Sequence, residues 1–417
     1  MRNGWPVLDQ FCIRGRATLR RSASVYCWTE RAMPSPQPLS VLALAILLTL
    51  EAGATAQPTV PRDRAPVVPG AIRSFVDRLY SPDPKERAEA ACQIGRRHAE
   101  AASAIPILLS MLSDDVPVPA LECEMSPWLR RTLPNSLDAR KWMETSPAKE
   151  AAEALGDIGN AAVPGLLQSL AHVDWRVRAF AALGLGEVDQ ILERGQVIDA
   201  LGNRLSDGHP DVRDRSAWAL GEIEDATAVE PLLKALHDGD VRVRARAAWA
   251  LGEIEHPSAV SGLLAALADS EAAVREKSAW ALGEIESDLA VDGLLRLLSD
   301  TNPKVRRQVV WALGEIESPA AVPGLVQTLT DSDVEVRRQS AWALGEIEHA
   351  TGVDSLVLAL KDSDWQVRRT AARALGEIED PAAIDALRAA ANDANSEVRR
   401  AIDHALRELG DRRQKRR

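Results

Sequence analysis

Apolar and small residues recur at helical spacing along residues 210–224, PDVRDRSAWALGEIE, where Val212, Ser216, Ala219, Leu220 and Ile223 share one face. This pattern predicts a helix, here called A. A short loop, Asp225-Ala226-Thr227, interrupts it. Val229, Leu232, Leu233 and Leu236 then follow at i, i+3, i+4 and i+7, which predicts a second, shorter helix, B. The same alternation returns every 31 residues: AWALGEIE stands at 217–224, 248–255, 279–286 and 341–348, with one-letter variants at 310–317 and 372–379. The punctuation keeps the same period. His209, Asp240, Glu271, Asn302, Asp333, Asp364 and Asn395 precede the A helices, mostly as good N-caps, and Pro210 and Pro303 occupy the first helical position. Pro257, Pro319 and Pro381 fall in the loop after helix A and stop it.

Earlier copies are marked by Gly186, Gly156 and Gly95, and residues 396–409 predict a last A helix with Arg407 in place of the glycine. Ile72, Phe75, Val76 and Leu79 predict an opening B helix. The spacing places a four-residue insertion near Glu193–Gln196 and a longer one at 115–145, rich in proline and carrying Trp128, Trp142 and Cys123. Long inserts project from one face of a repeat array and are often functional, although this one also reads as a tolerated surface loop. The chain is therefore all-α, an α-solenoid over 71–409 with about ten helical hairpins. One hairpin cannot bury enough apolar surface to offset its ordering entropy, so stability must come from stacking.

The repeated letters divide by direction on the helix. Leu220 and Ile223 point into the core, while Ala219 and Gly221 lie on the two flanks, where small side chains let adjacent A helices approach closely. A helical glycine costs about 1 kcal/mol, so its recurrence requires a packing reason. Trp218, Trp249, Trp280, Trp311 and Trp342 fall opposite the core, with Glu222, Glu253, Glu284, Glu315 and Glu346 one turn further along the same face. Two readings follow. Each indole lies over its neighbour's Ala and Gly flank, with Arg307–Trp311 and Arg338–Trp342 as cation–π pairs. Alternatively, the five indoles form an aromatic strip that binds a partner.

Two charged series share the period: Asp207, Asp238, Asp269, Asp300, Asp331, Asp362 and Asp393, and Arg213, Arg244, Arg275, Arg306, Arg337, Arg368 and Arg399. The arginines point partly inward and need partners. The aspartate six residues earlier is the obvious candidate, giving structural ladders between repeats. A row of ligand-binding arginines is the alternative.

Charge narrows the partners. The formal net charge is −11, and the six arginines among residues 1–56 outnumber three acids there, so the repeat region is more acidic still. That argues against nucleic acid. The one basic run is the tail, residues 410–417, with Arg412, Arg413, Lys415, Arg416 and Arg417. At the other end, Leu39–Leu50 is a 12-residue apolar run followed by Ala54-Thr55-Ala56. It predicts a signal peptide at 33–56, with translation starting at Met33 and residues 1–32 an upstream extension. Export to the periplasm or secretion, with no membrane span after cleavage, is expected; an anchor through 39–50 is the alternative. Residues 57–70 read as a Pro-rich linker. Two cysteines, Cys92 and Cys123, would survive cleavage, and a bond between them would tie down the insertion.

The pattern Asp-x5-Val-Arg-x6-Ala-Leu-Gly-Glu-Ile-Glu, followed by Ala-Val-x2-Leu-Leu-x2-Leu, resembles the HEAT-repeat proteins, in particular the short PBS-lyase-like HEAT repeats. The resemblance covers roughly 71–409. It implies a right-handed α-superhelix that mostly binds proteins or peptides, hence a non-enzymatic scaffold with a protein or peptide partner. That branch commonly has Gly where this chain has Glu224 and Glu255, which leaves the end of helix A without its usual cap. Relatives of the deoxyhypusine hydroxylase kind bind iron through His-Glu pairs. None of His98, His172, His209, His237, His256, His349 and His404 is followed by Glu, and the residues show neither metal-ligand spacing nor a catalytic constellation. No cofactor or metal site is expected. A metal-dependent oxidoreductase of that kind, a bilin-lyase-like enzyme or accessory, and a structural spacer remain the alternatives.

Overall fold

A computed structural model describes residues 58–119 and 144–415. The expected upstream extension, signal peptide and most of the long insertion lie outside the described residues. The odd-numbered helices are the B helices: α1 Gly70–Arg78, α3 Ile105–Ser110, α5 Val163–Ser169, α7 Arg194–Arg204, α9 Val229–Ala235, α11 Val260–Ala266, α13 Val291–Arg296, α15 Val322–Thr328, α17 Val353–Ala359 and α19 Ile384–Ala390. The even-numbered ones are the A helices: α2 Pro84–Gly95, α4 Pro147–Ile158, α6 Trp175–Gly186, α8 Pro210–Ile223, α10 Val241–Ile254, α12 Ala272–Glu284, α14 Pro303–Glu315, α16 Val334–Glu346, α18 Trp365–Ile378 and α20 Ser396–Lys415. The architecture is an α-solenoid of helical hairpins.

Each A helix packs along the A helices before and after it and against the B helix that precedes it. Nearly all the buried apolar residues form one continuous core from Val68 to Leu409, because every hairpin completes the core of its neighbours; Ala88 and Val118 form a small separate cluster. Leu220, Leu251, Leu282, Leu313, Leu344 and Leu375 are fully or almost fully buried along its centre.

Local chemistry sets the helix boundaries. Asp240, Asn302, Asp333 and Asp364 accept hydrogen bonds from backbone N–H groups two residues on, as N-caps do, and the imidazole of His209 accepts likewise from Asp211. At the other end the structure corrects the expectation of a missing cap. Glu224, Glu255, Glu286, Glu317, Glu348 and Glu379 adopt left-handed backbone, φ 51° to 54°. The turn geometry that usually selects glycine is kept with glutamate in the position, at a steric cost of about 1 kcal/mol each.

Three further features differ from the sequence expectation. The extra residues near Glu193 lengthen the B helix α7 to 11 residues. The last A helix runs to Lys415 instead of ending at 409. The long insertion springs from a two-stranded antiparallel ribbon, β1 Val118–Pro119 and β2 Glu144–Thr145, with Val118 opposite Thr145.

Candidate functional site

Trp218, Trp249, Trp280, Trp311 and Trp342 stand in register on α8, α10, α12, α14 and α16, each half-buried. The six-membered ring of each indole rests over a glycine of the preceding repeat. A Cβ built on Gly186, Gly221, Gly252, Gly283 or Gly314 would lie 2.6 to 2.9 Å from Cζ3 of Trp218, Trp249, Trp280, Trp311 or Trp342 respectively. That is the packing reason for the repeated glycine: the indole occupies the space of its side chain. In the next repeat Arg373 replaces tryptophan, and Oε2 of Glu377 fills the corresponding place, 2.5 Å from a Cβ built on Gly345. On α2 the equivalent position is Cys92, which is disulfide-bonded to a partner outside the described residues.

Cations approach the indoles, but not those expected. Arg246 lies over Trp249 with its guanidinium carbon 5.5 Å from the ring centroid, and Lys277 over Trp280 at 5.8 Å. Both sit three residues before the tryptophan. Arg307 and Arg338, four residues before theirs, are drawn elsewhere. Arg307 donates to the Pro303 carbonyl at 3.3 Å and approaches Asp333, while Arg338 pairs with Glu335 at 2.7 Å. A nearby carboxylate outcompetes the ring quadrupole.

Immediately after Gly156, Gly186, Gly221, Gly252, Gly283, Gly314, Gly345 and Gly376 comes a carboxylate: Asp157, Glu187, Glu222, Glu253, Glu284, Glu315, Glu346 and Glu377. Stacking brings the same charge together from one repeat to the next. Burial, then the neighbouring Glu255, Glu253 and Glu315, push Glu284 up to about 7. Burial followed by Glu153, Glu222 and Asp157 push Glu187 up to about 7 as well. Glu377 is also raised, first by burial, with Arg373 opposing and Glu346 and Glu408 adding. The result is a ridge in which partly buried indoles alternate with carboxylates, Glu187, Glu284 and Glu377 among them crowded by their neighbours. Glu187 and Glu377 were not foreseen as members; the Gly-Glu dipeptides at 186–187 and 376–377 carry the signal.

The arginine and aspartate series meet, but the carboxylate partner is not the one expected. Nε and Nη2 of Arg275 donate to Oδ2 and Oδ1 of Asp300 in the following repeat, at 2.7 and 3.0 Å. Its Nη1 donates to the main-chain oxygens of Asp269 and Ser270, at 2.9 and 3.0 Å. The aspartate six residues earlier thus supplies a carbonyl, and the aspartate 25 residues later supplies the carboxylate. Its own N-terminal loop is too close for its carboxylate to turn back on the guanidinium, whereas the next loop stacks directly alongside. Arg213–Asp238, Arg244–Asp269, Arg306–Asp331, Arg337–Asp362 and Arg368–Asp393 repeat this geometry. Arg178–Asp207 and the fully buried Arg87–Asp114 extend it towards the N-terminus. Arg399, at the end, donates to the carbonyls of Asp393 and Ala394. Every internal aspartate therefore joins two arginines, one through its carboxylate and one through its carbonyl. Burial would raise Asp238, but hydrogen bonds from Arg213 and from the Asp240 backbone outweigh it and hold the carboxyl below its ordinary value.

Three of the histidines serve helix ends. His209 caps α8 and stacks on Trp175 with ring centroids 3.7 Å apart, and His256 and His349 each accept from a backbone N–H two residues on. Among the described residues no group of three His, Cys, Asp or Glu side chains is arranged to hold a metal, and no described helix is long and apolar enough to cross a membrane. An open cleft of about 750 Å³ separates the B helices α13 and α15, lined by Leu295, Leu298, Pro323, Gln327 and Thr330 among others.

The chain matches HEAT repeats over residues 198–282, 260–345 and 322–407, half of its length, and the PBS lyase HEAT-like repeat over 148–172. It belongs to the HEAT-repeat family. The sequence matches no curated protein. Several solved structures are similar. An engineered protein is 24% identical, covering 81% of this chain and 98% of its own, with a TM-score of 0.44. The complex of CpcE and CpcF of phycocyanin lyase from Nostoc sp. is 24% identical over 51% of this HEAT-repeat chain and 94% of that one, TM-score 0.36. Human deoxyhypusine hydroxylase is 24% identical over 60% and 96%, TM-score 0.28.

Proposed function

We propose that this HEAT-repeat protein is an exported, non-enzymatic scaffold that binds a protein or peptide partner along the ridge of indoles and carboxylates. One observation carries the reading. Five successive repeats each present a partly buried indole with a glutamate one turn on, and Glu284 among these is crowded by Glu255, Glu253 and Glu315. Packing alone explains the buried edge of each ring over its glycine. It does not explain why the remaining aromatic surface is kept in line, or why like charges are stacked where a neutral residue would cost less. The apolar run at Leu39–Leu50 and Ala54-Thr55-Ala56 support export. The acidic ridge disfavours a polyphosphate ligand. The arginines of the ladder are engaged with aspartates and carbonyls, which leaves them structural.

Affinity capture from cell-envelope extract tests the reading, with the full chain as bait beside a variant carrying Trp249→Ser, Trp280→Ser and Trp311→Ser. Circular dichroism first confirms that both fold. A partner retained by the wild type and lost by the variant is expected. Equal retention by both would move the site off the ridge, to the B-helix cleft or the insertion.

A further inference from the structure

We propose that the array carries a second docking point, apart from the ridge, at its C-terminal end: Arg399 takes an aspartate carboxylate from a partner polypeptide laid against the start of α20.

The rungs inside the array show what this arginine is shaped to hold. Arg368 is typical. Its Nη1 donates to the carbonyls of Asp362 and Ser363 in its own loop, at 2.8 and 3.2 Å. Its Nε and Nη2 reach the next repeat and grip both oxygens of Asp393, at 2.7 and 3.0 Å. Arg399 keeps the first half of this arrangement, with Nη1 donating to the carbonyls of Asp393 and Ala394 at 2.6 and 3.0 Å. Among the described residues no carboxylate meets its Nε and Nη2. The acids nearby are engaged elsewhere. Asp393 holds Arg368 and the backbone N–H of Asn395, Glu397 pairs with Arg400 at 2.8 Å, and Glu408 lies 3.2 Å from Nδ1 of His404. A guanidinium held by one edge is pre-organised, and its remaining fork matches a carboxylate.

Elsewhere the two halves of a rung occur together. Ala148 stands at the arginine's place on α4, and the loop that follows has His172 at the aspartate's place. Arg399 departs from this rule, because the hairpin register stops at α20. That helix continues through Lys415 where earlier A helices turn back, and Lys415 stands where Val291 and Ile384 begin a B helix. Arg407 replaces the glycine on which a further A helix would pack. The occupant of the open edge is therefore a loop or extended segment, not another stacked helix. A second copy fits poorly. Its leading loop has Ser81 at the aspartate's place, with Oγ accepting from the N–H of Asp83 at 3.2 Å.

The ladder also defines the ligand's local form. Oδ1 of Asp238, Asp269, Asp300, Asp331 and Asp362 accepts the backbone N–H two residues on, at 2.8 Å, while the carboxylate faces the arginine. An Asp-Ser-Asp turn, as at 331–333 and 362–364, presents the group in this way. Charge favours its approach: residues 396–417 carry eight Lys and Arg against four Asp and Glu, in a chain of net charge −11.

Fluorescence anisotropy on the full chain tests the proposal. The probes are a labelled peptide of about 12 residues centred on Asp-Ser-Asp and its Asn-Ser-Asp counterpart. The Asp peptide is expected to bind saturably and the Asn peptide about tenfold more weakly. Arg399→Gln should cost the Asp peptide about tenfold, and Arg399→Lys, which keeps the charge and loses the fork, should cost as much. Arg400→Gln should matter little, and so should the triple tryptophan variant of the ridge. Arg399 is exposed, so its variants should fold, which circular dichroism checks. Equal binding of the two peptides, wild-type binding by Arg399→Lys, or no binding of either peptide would overturn the proposal. Self-association in sedimentation that disappears with Arg399→Gln would assign the edge to a second copy and overturn it too.

Discussion

Gly252 and Trp280, in successive repeats, share one volume: a Cβ on the glycine would stand 2.6 Å from Cζ3 of the indole and 2.9 Å from the Cα of Ala281. The second distance matters more, because a ring can turn aside and a backbone cannot. Gly252→Ala gains up to about 1 kcal/mol of helix propensity yet forces two A helices apart. The variant should lose roughly 1–3 kcal/mol in urea unfolding. Trp280→Ala in the same chain should recover little of that loss, since the contact with Ala281 remains.

The Arg275–Asp300 pair joins two repeats and also holds the loop at Asp269 and Ser270. Arg275→Ala strands a partly buried carboxylate and two carbonyls, and should cost on the order of 2–4 kcal/mol. Asp300→Asn, which leaves an acceptor in place, should cost less. Thermal unfolding of both single variants and the double variant should reveal a coupling of about 1 kcal/mol or more.

Glu348 sits at φ 51°. Glu348→Gly removes the left-handed strain and should raise stability by about 1 kcal/mol. Glu348→Val, β-branched at the same angle, should lower it by a similar amount. Unequal effects of this sign in chemical denaturation would identify the backbone, and not the lost charge, as the cause.

The crowded carboxylates set the pH dependence. Glu187 and Glu284 titrate at about 7 in the fold, against an ordinary 4.5. Between those values the folded chain binds protons more tightly than the unfolded one, so stability rises as pH falls from 7 to 4.5. Asp238, Asp269 and Asp300 act oppositely: their lowered values give stability that is present above 3.8 and lost as pH falls through them. The melting temperature should therefore peak near pH 4.5–5, roughly where the two trends cross. Glu284 faces Glu253, Glu255 and Glu315. Glu284→Gln keeps the shape and should flatten the rise between pH 7 and 5.

Much of this was legible in the sequence because each repeat restates it. The 31-residue period, the caps at Asp240 and Asn302 and the flank glycines mark both helices of the hairpin and the face on which they stack. What was not legible depends on how one repeat lies on the next. Sequence distance favoured Asp269 as the partner of Arg275, whereas stacking brings Asp300 alongside. Spacing alone put Arg307 by Trp311, but the Pro303 carbonyl and Asp333 hold it elsewhere. Glutamate at 224 read as a missing cap, because helix propensity cannot show that tertiary packing fixes a left-handed turn there. The rise of Glu187 and Glu284 likewise needs neighbours from three repeats in one place.

The central claim is that a partner lies on the A-helix ridge. Carbodiimide footprinting of carboxylates by mass spectrometry, on the full chain alone and with its captured partner, tests it most directly. The account expects Glu253, Glu284 and Glu315 to become protected, while Glu230, Asp292, Asp354 and Asp385 on the B helices label as before. Protection of the B-helix carboxylates with an unchanged ridge would contradict it, and would leave the indoles as packing alone.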